Sequence, residues 1–368
     1  LKNFIKKDPS NPDSYYELGE LYRNKGDYET ALSYYRTVIK LDKNYGLAHS
    51  RMGDCYSNLG KMDQALSHYQ SVLNLYPHDE LAHYELGRIY WEKEEYNTSL
   101  KCLEISLPVT EGNAEVHFYM ASCYNALDEF ELAIQKYEKS LEINPFFTSS
   151  HLGLAEVYLQ QDKLDQAEYH TIKAQELGDE SSEPFVTLGL ISIKRSDLDR
   201  AVEYFNQALE INSEQAFIYF QLANIALTRY DSEEAIKNLI KTIELDKNYL
   251  DAYYTVAQLY KELGQYKKAI EYYLASAEID PNFIDIYINL GMIFTKIGDD
   301  SSALDSYEKV LSLDKNHFEA LFNTGIIYEK YNKYALARDC FIRAISLEPQ
   351  NQDLYKRVAE LSKKLGDI

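Results

Sequence analysis

Cysteine is scarce, with four in 368 residues and no CxxC pair, which excludes a disulfide framework and a cysteine zinc site. Basic charge is short as well. Lys and Arg number 38 against 59 Asp and Glu, leaving a formal net charge of −21. So acidic a chain excludes nucleic acid and anionic membrane as main partners, because both need a basic footprint. No uninterrupted apolar run approaches the ~18 residues a membrane span requires. Phosphate loops, dinucleotide fingerprints, nucleophile elbows and paired metal-ligand motifs are all missing. The acids are spread along solvated faces without a candidate catalytic pair, so the sequence predicts a chain that is not an enzyme and takes no cofactor or metal. Low cysteine suits the cytoplasm without excluding the periplasm. A start at Leu1, with no Met and no signal-like apolar stretch, reads as a segment of something longer.

Against these absences stands one surplus: 34 tyrosines beside 14 phenylalanines and a single tryptophan. Many of them recur on a fixed period. Tyr15-Tyr-Glu-Leu-Gly-Glu-Leu-Tyr22 returns as His83-Tyr-Glu-Leu-Gly-Arg-Ile-Tyr90 and again as Tyr253-Tyr-Thr-Val-Ala-Gln-Leu-Tyr260. With Pro12 as position 1, ten units of 34 residues run without insertion or deletion from 12 to 351. They begin at Pro12, Gly46, Glu80, Ala114, Thr148, Ser182, Ala216, Leu250, Ile284 and Phe318. Position 8 is always Gly or Ala, from Gly19 to Gly325, and position 20 is Ala in every unit except at Ser99. Proline marks position 32 at Pro77, Pro145, Pro281 and Pro349.

This pattern resembles the tetratricopeptide repeat family over essentially the whole chain. The resemblance implies an all-α fold, a right-handed superhelical α-solenoid of antiparallel helix pairs. Residues 1–11 are then the tail of a preceding second helix, 12–351 one continuous solenoid, and 352–368 a C-terminal capping helix. The physics agrees. Positions 7, 8, 10 and 11 share one face of a first helix, and 20, 24 and 27 one face of a second. A single hairpin cannot bury these faces, whereas stacked neighbours can. Gly26, Gly60, Gly264 and Gly298 at position 15 supply the positive φ that ends a first helix. Two local faults are expected. Pro108 should break the second helix of repeat 3 early, and Gly178-Asp-Glu-Ser-Ser182, which lacks the usual proline, should act as a hinge.

Four histidines, His49, His83, His117 and His151, fall one repeat apart at position 4. A metal ladder is excluded by spacing: equivalent helices lie about 10 Å apart, too far for two nitrogens to share one ion. Planar rings filling a slot that elsewhere holds Tyr15, Phe185 or Tyr219 explain them. Buried and neutral, they should make the N-terminal half acid-sensitive. Cys55 and Cys123 read as small core residues at position 10.

Information for a partner lies at positions free to vary. In the family, first-helix positions 2, 5, 6, 9, 12 and 13 line a concave groove. Here the early repeats put Arg23, Arg51 and Arg88 on that face beside Trp91, a set suited to a peptide carboxylate or acidic side chain, with Glu20, Asp54 and Glu85 as competing partners. The later repeats turn apolar, with Phe217, Phe220, Tyr254, Ile288, Met292, Phe322 and Ile326, a stripe suited to a partner helix or extended segment unless position 5 is half core. The family's peptide clamp is not reproduced, because Phe220, Thr255, Asp285 and Asn289 stand where basic residues and Asn are needed. Residues 80–181 hold 20 acids and 7 bases, a strip that steers a basic partner or serves solubility. The expected function is a protein–protein interaction scaffold. The alternatives are a regulatory or substrate-recruiting arm of a larger enzyme and a self-associating assembly module, a homo-oligomer.

Overall fold

The computed structural model of the chain describes residues 8–366. The expected tail at 1–11 falls mostly outside them; Asp8–Asn11 form a turn ahead of the first described helix, Pro12–Arg23. Twenty-one α-helices and no strand occupy the described residues. Each repeat is one helical hairpin, as in Gly46–Asn58 with Met62–Leu75, and the series closes on Gln352–Leu365. The fold is an α-solenoid of paired adjacent helices.

The turn inside each hairpin is identical in all ten repeats. The position-16 N–H donates to the position-11 carbonyl, as from Lys61 to Tyr56 at 2.9 Å and from Gln265 to Tyr260 at 2.8 Å. This six-to-one bond requires a left-handed residue between. Position 15 supplies it everywhere, and only four of the ten are glycine: Glu94, Asp128, Asp162, Ser196, Tyr230 and Asn332 adopt φ of 57–63°. The tertiary hairpin overrides the local preference of these side chains.

Packing within a hairpin turns on positions 8 and 24. A Cβ added to Gly53 would lie 2.6 Å from the Tyr69 ring, and one on Gly291 2.5 Å from Tyr307. The small residue at position 8 is therefore the floor on which a large position-24 side chain lies fully buried. Position 4 has its own logic. The His83 and His117 Nε2–H groups donate to the carbonyls of Pro77 and Glu111, both at 3.1 Å. The Tyr15 and Tyr287 hydroxyls reach the equivalent carbonyls of Pro9 and Pro281, both at 3.2 Å. In these repeats the slot takes a ring with a donor at its far edge, and His and Tyr both supply it.

Pro108 does not break its helix. Tyr96–Thr110 runs past it and is the longest of the described second helices at 15 residues. The buried Ser106 and Thr110 hydroxyls donate to the carbonyls of Leu103 and Ser106 at 2.7 and 2.8 Å, and Glu111 N–H closes on Leu107 at 2.8 Å. The helix thus continues past the proline, whose missing N–H leaves the Glu104 carbonyl without its intrahelical donor.

The chain divides into two compact units, one ending at Tyr204 and one beginning at Phe205. The segment from Gly178 to Ser182, expected as a hinge, is a turn within the first unit, with Gly178 at φ 92°. The first unit's core includes Leu32, Tyr35, Met52, Leu103, Leu154 and Val157. The second is built on Leu239, Val256, Tyr273, Leu290, Tyr307 and Phe341.

Candidate binding surface

The three arginines of the early repeats are engaged. Arg23 donates through Nε and Nη2 to both Glu20 oxygens at 3.1 and 3.0 Å. Arg51 Nη1 donates to Asp54 at 3.0 Å, and its Nε lies 3.5 Å from Glu20. Arg88 Nη2 donates to Ser57 Oγ at 3.0 Å and sits 3.0 Å from Glu85. The position-24 tyrosines close the network from beneath: Tyr69 donates to Asp54 at 2.7 Å and Tyr35 donates to Glu20. Partial burial works to raise the Glu20 carboxyl, but the bonds from Arg23 and Tyr35 outweigh it and hold it below the usual carboxylate range. Burial pushes Glu85 up. The guanidinium forks thus already hold carboxylates, and a partner's acid would have to displace them. Trp91 is half-buried, its Nε1 donating to Ser122 Oγ at 2.8 Å and its ring edge-on to Tyr119 at 5.1 Å. It is built into repeat 4 instead of standing free.

The later stripe divides by position. Position 5 sits between its own repeat's positions 24 and 34. Phe220 packs on Tyr249 at 4.9 Å, and Tyr254 packs on Phe283 at 5.0 Å and edge-on to Tyr273 at 5.7 Å. Phe322 lies 6.0 Å from Phe341. Ile288 is only 7% exposed and belongs to the core, which corrects its reading as a groove residue. Phe220, Tyr254, Phe322 and Ile326 are half-buried against core clusters. The same geometry holds in the first unit, where Tyr16 meets Tyr45 and Phe118 meets Phe147. Phe217 at position 2 and Met292 at position 9 remain open, 42% and 50% exposed.

Position 2 is the informative one. Six repeats place an acid there, Asp13, Glu115, Glu183, Asp251, Asp285 and Glu319, each in the first turn of its helix, where a negative charge meets the positive end of the dipole. Leu47, Leu81 and Phe217 break that rule. Leu47 and Leu81 are 58% and 66% exposed and line a hollow of about 560 Å³ together with Tyr76, Asn44, Ser50 and Arg51. Tyr76, at a position where four other repeats hold Asp, lies across Gly46, whose missing Cβ would otherwise meet the ring at 2.4 Å. Asp42 and Asp79 stand at the rim. The hollow was missed from the sequence. Its signal was a hydrophobe at a helix start where six repeats carry a carboxylate.

Two histidine pairs were missed as well. His49 Nε2–H donates to the Lys43 carbonyl at 3.3 Å, which leaves its Nδ1 to accept from His68 Nδ1–H at 3.2 Å. Three repeats on, His151 and His170 repeat the arrangement at 2.9 Å. Tyr56 and Tyr158 stack on the second ring of each pair, as Tyr22 stacks on Tyr34 and Tyr260 on Tyr272 in the same slot. Burial and the partner imidazole pull His68 and His170 down to about 4. Among the described residues no group of three or more His, Cys, Asp or Glu is placed to hold a metal ion, and no helix is long and apolar enough to cross a membrane.

Sequence profiles described as Tetratricopeptide repeat match residues 114–147, 182–215, 250–283, 284–317 and 318–351, and also 1–33 and 48–79. The first five coincide with the repeat register read from the sequence. No curated protein matches the chain. Among solved structures, a tetratricopeptide repeat protein from Parabacteroides merdae is similar at 17% identity and a TM-score of 0.54, covering 70% of this chain and 98% of its own. Yeast Tom70 aligns over 97% of this chain and 89% of its own at 15% identity, with a TM-score of 0.42. YrrB, described as a TPR protein with an unusual peptide-binding site, aligns over 54% of this chain and 97% of its own at 21% identity and a TM-score of 0.38.

Proposed function

Because the chain belongs to the tetratricopeptide repeat family, we propose that it is a non-catalytic scaffold that holds protein partners, as peptides or helices, along its first-helix face. The observation that carries this reading is the hollow of repeats 2 and 3. Leu47, Tyr76 and Leu81 are each more than half exposed around one concavity, and covering them would contribute on the order of 1 kcal/mol per side chain. Nothing in the fold of the hairpins needs leucine at position 2, since other repeats form the same helix with an acid there. Open apolar side chains gathered at one concavity support a binding surface over a packing role. A partner segment would place an apolar side chain in the hollow, with Arg51 on one wall and Asp42 and Asp79 at the rim. In the second unit, Phe217 and Met292 are open apolar side chains on first helices.

The test follows from the same comparison. Leu47→Asp and Leu81→Asp restore the residue class that six repeats carry, so helicity and melting temperature should hold or rise slightly. Quantitative affinity capture from the native cell should lose the specific partner by at least about tenfold. Capture unchanged in the folded double variant would overturn the reading.

A further inference from the structure

A second concavity, with no lining residue in common with the first, lies between the second helices of repeats 3 and 4. It measures about 700 Å³ and is walled by Glu104, Leu107, Pro108 and Glu111 on one side and by Gln135, Lys136, Glu138, Lys139 and Glu142 on the other, with His117 among its lining. His117 is 4% exposed. Its Nε2–H is committed to the Glu111 carbonyl, so its Nδ1 carries a lone pair, and that atom is buried without a hydrogen-bond partner. An acceptor so placed asks for a donor. The charge around it says which kind. Four glutamates and two lysines line the concavity, and Lys139 is drawn to Glu142 at 2.9 Å, leaving Glu104, Glu111 and Glu138 against Lys136, an excess of acid. A hollow at repeat 7, lined by one second helix and the position-4 ring, has a different character. There the position-4 ring is Tyr219, which carries no ring-nitrogen acceptor, and Glu233 and Glu244 are balanced by Lys237 and Lys241.

We propose that the groove between repeats 3 and 4 is a docking site for a basic segment of a partner protein, taking the head of one arginine or lysine. One N–H of the cation donates to His117 Nδ1 while Glu104, Glu111 and Glu138 match its charge and Leu107 and Pro108 flank its aliphatic stem. The surrounding strip from 80 to 181, with 20 acids against 7 bases, draws such a segment in from solution.

The test uses the full chain and a fluorescent tetra-arginine peptide, with tetra-glutamate as control, followed by anisotropy at two ionic strengths. His117→Tyr is the decisive variant, since a tyrosine hydroxyl reaches the same carbonyl at Tyr15 and Tyr287 and the fold should stand while the acceptor is lost. Tetra-arginine should bind and tetra-glutamate should not. His117→Tyr should weaken binding about tenfold, the share of one charge-assisted hydrogen bond. Glu104→Gln with Glu138→Gln should weaken it further and flatten its salt dependence, and Glu233→Gln in repeat 7 should change nothing. Failure of the wild-type chain to bind would overturn the proposal. So would equal binding by His117→Tyr, which would reduce the effect to diffuse attraction with water on Nδ1.

Discussion

Tyr230 is 95% exposed and sits at φ 59°, a conformation that costs an L-residue roughly 1–2 kcal/mol relative to glycine. Its side chain returns nothing to the hairpin that could offset this. Tyr230→Gly should therefore stabilise the chain by about 0.5–1 kcal/mol, after the extra freedom glycine has when unfolded, measurable by urea denaturation. Gly26→Ala, at the same turn position, should cost about 1 kcal/mol. The histidine pairs make a second prediction at this scale. An ordinary histidine titrates near 6.5, whereas His68 and His170 do so near 4 in the folded chain. Above pH ~6.5 both states are neutral and nothing is lost. Between ~6.5 and ~4 the unfolded chain binds protons the folded one refuses, so stability falls with pH across that window. Arg36 beside His68 and Lys173 beside His151 push the same way. Glu85 and Glu156, raised by burial, push the other way. The clean readout is thus the difference between the wild type and His68→Tyr/His170→Tyr, which keeps the ring stack of the other repeats. On going from pH 7.5 to 5, denaturant midpoints should show the wild type losing about 1–2 kcal/mol more per pair than the variant, less than the full shift because the rings are partly solvated. Equal losses would sink the account.

At the scale of the helix, the period was legible because every hairpin is stabilised by the same contacts and so writes the same residues. Position 8 against position 24 is a steric rule, visible as Gly or Ala facing a large side chain. Two things were not legible. Ile288 looked like a groove residue because it lies off the seam of its own helix, but it packs into a cluster with Tyr307 and Val310 of the second helix that follows. Those contacts lie on another helix and have no signature inside one. His68 and His170 were passed over because they lie 19 residues after their partners, on facing helices, a spacing with no meaning in either helix alone. Pro108 shows the reverse error, a strong local signal overruled by neighbours. Its helix runs on to Thr110, at some cost. Pro108→Ala should raise stability by about 1–3 kcal/mol, and a neutral result in thermal denaturation would mean the proline is fully accommodated.

For the whole molecule, composition set the class of partner and the variable positions set the place. A net charge of −21 is carried most densely by repeats 3 to 5, where the acid-rimmed groove lies. The arginines of repeats 1 to 3 are occupied by carboxylates, and the single tryptophan is built into packing, so the residue types most often read as hot spots serve the scaffold here. Among the open apolar side chains are Leu47, Tyr76 and Leu81 in the first unit and Phe217 and Met292 in the second. The central claim is that partners dock on the first-helix face at the hollow of repeats 2 and 3. The most direct measurement is photo-cross-linking in the native cell from a reactive residue placed at Leu81, with the still more exposed Tyr230 as the control site. The account predicts a discrete protein adduct from position 81 that is lost when Leu47 is changed to Asp, and none from position 230. Adducts of equal yield from both sites, or from position 230 alone, would contradict it.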